Sequence, residues 1–219
     1  MDSKTLREKD WHNKRFASGR DARSTSKINY IYQALKYAER KFIKIQYQPN
    51  KKVLDIGCGK DVKRALDFIN IGSTYTGVDI SEECIKSNIL EIQHLSDKVN
   101  YIVEDANQLS SLKGQKFELI ILSGTLHHLN IDKTLDALKR VIDPISGEIL
   151  MWEPMGTNPF INLFRFLTPN KRTPDEKPLD FKDIEKIKRK FPNTSYELHS
   201  LLTIFAIPLI IFEKKFYKI

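Results

Sequence analysis

The chain has 219 residues, a net charge of +8, 41% hydrophobic and 29% charged residues. This balance suits one folded domain with a sizeable core and excludes a disordered chain. Its two cysteines, Cys58 and Cys84, are too few for a disulfide scaffold and point to a reducing compartment, so a cytoplasmic location is expected.

Residues 1–26 are polar, with clusters of Ser, Arg and Asp around Gly19, and read as an N-terminal arm without the apolar stretch of a signal peptide. Ile28, Ile31, Leu35, Ala38, Phe42 and Ile45 recur at spacings of three and four, which predicts an amphipathic helix ending at Pro49-Asn50. A strand–helix alternation follows. Lys52 to Ile56 reads as a strand, Val62 to Ile69 as a helix and Tyr75 to Val78 as a second strand ending at Asp79. Ser81-Glu82-Glu83 opens the next helix with a cap and acids in its first turn. Tyr101 to Val103, Phe117 to Leu122 and Gly147 to Trp152 read as further strands, with a helix from Ile131 to Ile142 before the last. Residues 153–178 hold five prolines and read as an insertion over the open end of the sheet. Leu179 to Lys190 reads as a helix, and Tyr196 to Phe212 as the last one or two strands. The apolar run from Leu201 to Phe212 is too short to span a bilayer as a helix; the other reading for it is a weak membrane-surface contact beside Lys214, Lys215 and Lys218.

Strands separated by helices require right-handed crossovers and hence a parallel sheet. A run such as Leu119-Ile120-Ile121-Leu122 implies burial on both faces. The expected fold class is therefore α/β, a doubly wound, mostly parallel sheet with its ligand at the carboxyl ends of the strands. The expected organisation is a single domain over 1–219: arm and helix at 1–48, core at 50–152, insertion or lid at 153–178, and helix and strands at 179–219.

Charge is uneven along the chain. Residues 1–50 carry 12 Lys/Arg against 5 Asp/Glu, residues 51–150 carry 12 against 15, and residues 151–219 carry 12 against 8. A mildly acidic core between basic flanks would steer an anionic small molecule or surface toward it.

Gly57-Cys58-Gly59 sits between a strand and a helix, where glycine lets a ligand approach the backbone. Position 62 is Val, so the third glycine of a dinucleotide fingerprint is missing, which weakens an NAD or FAD reading. Asp79 ends the second strand, placed to accept two hydrogen bonds from a ribose diol. Asp105 follows the third strand, placed to accept from an adenine amino group, and Asp55 can order the loop or bind an amino-acid end of the ligand. Three acids at three strand ends converge on one pocket.

Val53 to Gly59, then Thr76-Gly77-Val78-Asp79-Ile80-Ser81, then Glu104-Asp105-Ala106 resemble the successive motifs of class I S-adenosylmethionine-dependent methyltransferases, whose sheet is Rossmann-like. Phe117 to Leu122 followed by Leu126-His127-His128-Leu129 resembles the fourth-strand motif of the small-molecule, type 11-like branch. The resemblance implies S-adenosylmethionine as cofactor, with contacts at Asp55, Gly57, Gly59, Asp79, Ile80, Asp105, Ala106 and Ser123, and at Cys58 through its backbone. Trp11 to Phe16, Glu153 to Pro159 and Leu167 to Glu176 look like the arm and insertion of a bacterial subfamily whose substrates are mostly unassigned.

Methyl transfer is an in-line displacement that depends chiefly on placement, helped by a base when the acceptor is a hydroxyl. His127, His128 and Glu153 are the candidate catalytic residues, since they follow the fourth and fifth strands at the ligand end of the sheet. His12 and Arg15 on the arm, with Arg165 and Arg172 on the insertion, are candidates for the substrate side, arginine being suited to a carboxylate or phosphate. The expected function is methyl transfer to an oxygen or nitrogen of a small, anionic acceptor. Two alternatives stand beside it: an RNA or other nucleic-acid methyltransferase, and a non-catalytic S-adenosylmethionine-binding module. Ser123-Gly124-Thr125 stands where base-methylating enzymes carry an Asn/Asp-Pro-Pro-aromatic motif, which argues against a nucleic-acid partner. No metal is expected, and no transmembrane segment.

Overall fold

The computed structural model describes residues 3–17, 37, 39–44, 46–92, 94, 97–157, 162, 166 and 176–199. Among the described residues five strands form one sheet: β1 (Lys52–Ile56), β2 (Thr74–Asp79), β3 (Val99–Val103), β4 (Leu119–Ser123) and β5 (Glu148–Trp152), in the order β3-β2-β1-β4-β5. Every pairing is parallel. The order reverses at β1, so the switch point lies between β1 and β4, and the crevice outside their carboxyl ends is where such a sheet takes its ligand. Among the described residues the helices with defined bounds are α1 (Ser3–Ala17), α2 (Val62–Ile69), α3 (Glu82–Ile92), α4 (Ile131–Val141) and α5 (Phe181–Lys190), and residues 39–44 are also helical.

Alternation along each strand divides the core into two layers. Leu54, Ile56, Ile120 and Leu122 face one way and pack with Leu135, Leu138 and Val141 of α4, with Ile187 of α5 and with Leu112 and Phe117. Val53, Tyr75, Leu119 and Ile121 face the other way and pack with Ala65 and Phe68 of α2, Ile85 of α3, and Ile43. The helix ends are chemically specified. Asn130 caps α4 through Lys133 N–H, and Asp180 and Asp183 form a reciprocal capping box on α5. Lys188, Arg189 and Lys190 close α5 at its negative end.

Two expectations are revised or fall outside the described residues. The polar stretch read as an arm folds from Ser3 to Ala17 as α1, because it is rich in Lys and Arg and meets no glycine or proline before Gly19. Residues 196–199 carry no regular element, and the rest of the stretch read as terminal strands lies outside the described residues. Among the described residues no helix is long and apolar enough to cross a membrane.

Candidate functional site

The glycine loop leaves β1 and turns into α2. Gly57 and Cys58 N–H both donate to Val78 O, at 2.8 and 3.1 Å, so the loop is stitched to β2. Gly57 has φ +69°, and a Cβ there would lie 2.2 Å from Thr125 Oγ1. Only glycine allows the β1 and β4 exits to touch in this way. Gly59 has φ +59° with nothing within 4 Å of the place a Cβ would take, which leaves an open cradle for a ligand. Cys58 is 4% exposed and lies in the core layer of Tyr75 and Tyr101; burial first, then the neighbouring Cys84 and acids, pushes its thiol well above its ordinary value. The loop therefore offers backbone, not a reactive sulfur.

Asp79, at the end of β2, accepts from Gly59 N–H at 3.0 Å on one oxygen and from Ser81 N–H at 2.9 Å on the other. A carboxylate has about four acceptor positions, so room remains for a diol. Burial raises its carboxyl above the ordinary value, while the Ser81 and Gly59 amides pull it down. Ile80 follows it, half-buried. Asp105 is 5% exposed and accepts from Asn107 N–H and Asn107 Nδ2 at 2.9 and 2.8 Å, with Gln108 Nε2 at 3.4 Å from its other oxygen. It shapes the turn after β3, and Ala106 is buried beside it.

Asp55 takes a different position from its two partners. Alternation sends its side chain into the α2 layer with Val53, where it is 1% exposed. There Arg64 Nη1 donates to both its oxygens at 3.0 and 2.9 Å, and Tyr75 O–H donates at 2.5 Å. Arg64 Nη2 also meets Glu39 at 3.3 Å, and the Ser123 hydroxyl donates to the same Glu39 oxygen. A chain of side chains thus runs Tyr75–Asp55–Arg64–Glu39–Ser123 beneath the pocket. Burial works against the charge on Arg64, but Asp55, Tyr75 and Glu39 outweigh it and hold the guanidinium above its ordinary value. Arg64 and Glu39 were not singled out by sequence; the available signal was an arginine among Val62, Ala65 and Phe68, three buried residues of a short helix.

The histidines sit on the turn Leu126–His128 after β4. Glu153, just past β5, accepts from Thr125 and Leu126 N–H at 2.9 and 2.8 Å, so its carboxylate caps that turn. Its second oxygen lies 2.7 Å from His127 Nδ1. A carboxylate already accepting amide hydrogens is an acceptor, which makes Nδ1 the donor; in the neutral ring the lone pair is then on Nε2. His127 Nε2 faces Glu176 at 3.9 Å. His128 Nδ1 lies 3.2 Å from Glu8, on α1.

Helix α1 spans the open end of the sheet. Its Asn13 Oδ1 accepts from Ser81 Oγ at 2.7 Å beyond β2, Lys9 Nζ meets Glu82 at 2.6 Å at the start of α3, and Glu8 reaches His128 beyond β4. His12 also lies there, its ring centroid 5.7 Å from that of His128. Arg15 belongs to α1, whereas Arg165 and Arg172 lie outside the described residues. A cavity of about 250 Å³ opens between α1 and the α4 N-terminus, lined among others by Lys4, Asn107, His128, Asn130, Asp132 and Lys186. It adjoins His128 but is not lined by the glycine loop, so the glycine cradle and this cavity are separate spaces.

Residues 54–148 match the family described as a methyltransferase domain. The ubiquinone biosynthesis O-methyltransferase of Thiobacillus denitrificans is 29% identical over 79 residues, 36% of this chain and 34% of that protein, so the chain aligns with about a third of the length of this curated relative. Among solved structures, the N-methyltransferase NodS of Bradyrhizobium japonicum, in complex with S-adenosyl-L-homocysteine, superposes with TM-score 0.61 at 12% identity, covering 83% of this chain and 84% of that one. The magnesium protoporphyrin IX methyltransferase of Synechocystis, also with S-adenosyl-L-homocysteine bound, gives TM-score 0.57 at 16% identity over 84% and 87%. These structural likenesses establish the fold.

Proposed function

We propose that this protein, whose residues 54–148 match a methyltransferase domain and whose sheet has the fold of the solved methyltransferases, transfers a methyl group from S-adenosylmethionine to an oxygen or nitrogen of a small, anionic acceptor. The observation that supports the donor is the open cradle at Gly59 with the Asp79 carboxylate 3.0 Å from its amide. Asp79 would receive the ribose diol, Asp105 and Ala106 the adenine, and Ser123 with the Gly57–Gly59 backbone the amino-acid end. Asp55 acts as a positioning residue, through Arg64, Glu39 and Ser123.

When bound, S-adenosylmethionine supplies an electrophilic methyl on a sulfonium, and the donor leaves as a neutral thioether. The acceptor side rests on His127. Glu153 fixes its ring through Nδ1, so Nε2 would take the proton of a hydroxyl acceptor as the new oxygen–carbon bond forms. That arrangement favours oxygen over nitrogen. The basic flanks, with 12 Lys/Arg against 5 Asp/Glu over residues 1–50 and 12 against 8 over residues 151–219, would supply the attraction for an anionic acceptor.

Calorimetry with S-adenosylmethionine and S-adenosylhomocysteine tests the donor, and release of the demethylated product over hydroxylated, carboxylated and amino acceptors tests the reaction. Asp79→Ala should weaken donor binding by about 10- to 100-fold, the loss of charge-assisted hydrogen bonds. No binding at millimolar donor, or undiminished binding by Asp79→Ala, overturns the reading. Binding without turnover on any acceptor would favour a non-catalytic binding module.

A further inference from the structure

Where α1 crosses the end of the sheet it places three ligand-type side chains together. Glu8 and His12 are four residues apart on α1, so they project from one helical face. His128 meets them from the turn after β4. Its Nδ1 lies 3.2 Å from Glu8 Oε2, and His12 Nε2 lies 3.7 Å from the same oxygen. All three ligand atoms fall within 4.8 Å of one another.

These separations fit a metal ion. Two donors held at about 2.0–2.1 Å from one tetrahedral zinc ion lie about 3.4 Å apart, and the two measured edges bracket that value. The side chains are shielded, with Glu8 7%, His128 16% and His12 22% exposed, so a cation there would feel the carboxylate with little screening. Two imidazoles and one carboxylate select first-row transition ions over calcium or magnesium, which prefer all-oxygen sites.

We propose that Glu8, His12 and His128 bind a divalent ion of the zinc class, and that this ion clasps α1 to the core. Two ligands come from the arm and one from the β4 exit, so binding draws the arm onto the open end of the sheet. A second group, His127, His128 and Glu176, shares His128. Its His127–Glu176 separation of 3.9 Å is wider, and His127 is already oriented by Glu153, so the arm triad is the better ion site. The inference stands on this geometry alone and would survive a failure of the donor to bind.

The test uses the untagged full chain, stripped with a chelator and titrated with Co2+ and then Zn2+. One equivalent of Co2+ should give the visible absorption of a four- or five-coordinate ion, and Zn2+ should abolish it by displacement. Glu8→Gln and His12→Gln should each weaken binding by about tenfold or more, with folding checked by circular dichroism, while Glu176→Gln binds as the parent does. Hydrogen exchange over residues 3–17 should slow on adding Zn2+ in the parent chain and not in Glu8→Gln. Absence of the Co2+ signal at millimolar metal overturns the proposal. So does its loss in Glu176→Gln with Glu8→Gln and His12→Gln unaffected, which would place the ion on the other triad.

Discussion

Asp55 carries a carboxylate where almost no water reaches, and three donor contacts from Arg64 and Tyr75 are what keep it there. Removing one partner of such a pair strands the other. Arg64→Ala should therefore destabilise the fold by about 3–5 kcal/mol in urea unfolding, and Asp55→Asn in the same chain should recover much of that loss. Asp79 predicts a pH dependence. Its carboxyl is raised above 3.8 by burial, and only its ionised form offers full acceptor capacity to a diol. Donor affinity should be complete above that raised pKa and fall as pH drops through it, as calorimetry across a pH series would show; Asp79→Asn should flatten the profile. The stability contribution has the opposite sense. The native state holds this proton to higher pH than the unfolded chain does, so the group's contribution declines as pH rises from 3.8 through the raised value.

Helix α1 is held by polar contacts to Ser81, Glu82 and His128, and such contacts open more readily than a packed core. A chain lacking residues 1–17 should keep the sheet's circular dichroism but release S-adenosylhomocysteine about tenfold faster or more in stopped-flow, since a cover over a pocket governs exit. The sheet beneath was legible because its signals are local: apolar runs such as Leu119 to Leu122, a glycine loop after β1, and acids at strand ends. The bounds of α2 and the chain order of strands follow from those signals. The cover was not legible as a helix because α1 is mostly polar, with Leu6 half exposed and no clear apolar stripe. Its meaning depends on Glu8 meeting His128 from the other end of the domain core, and no periodicity records a contact that distant. The same holds for Glu39 and Arg64: each looks like a surface charge until the fold brings Asp55 and Ser123 against them.

At the scale of the molecule, basic flanks surround a core with 12 Lys/Arg and 15 Asp/Glu over residues 51–150. If this field gathers an anionic acceptor, KM for that acceptor should rise several-fold, roughly, between low and physiological salt while kcat holds, because screening acts on encounter between exposed charges. An unchanged KM would remove the electrostatic argument for an anion. The central position of β1 has a further consequence, in time instead of space. Val53 pairs with Tyr75 on one side but with Leu119 on the other, so a ribosome must deliver the chain well past β3 before the middle strand gains its second neighbour. Until then the apolar flank of β1 is open, and Leu119 to Leu122, once made, is a four-residue apolar strand with only that flank to pair with until β5 follows it. Closing such a distant parallel pair is slow, which makes the interval between the emergence of β3 and the docking of β4 the moment when this chain most needs a chaperone.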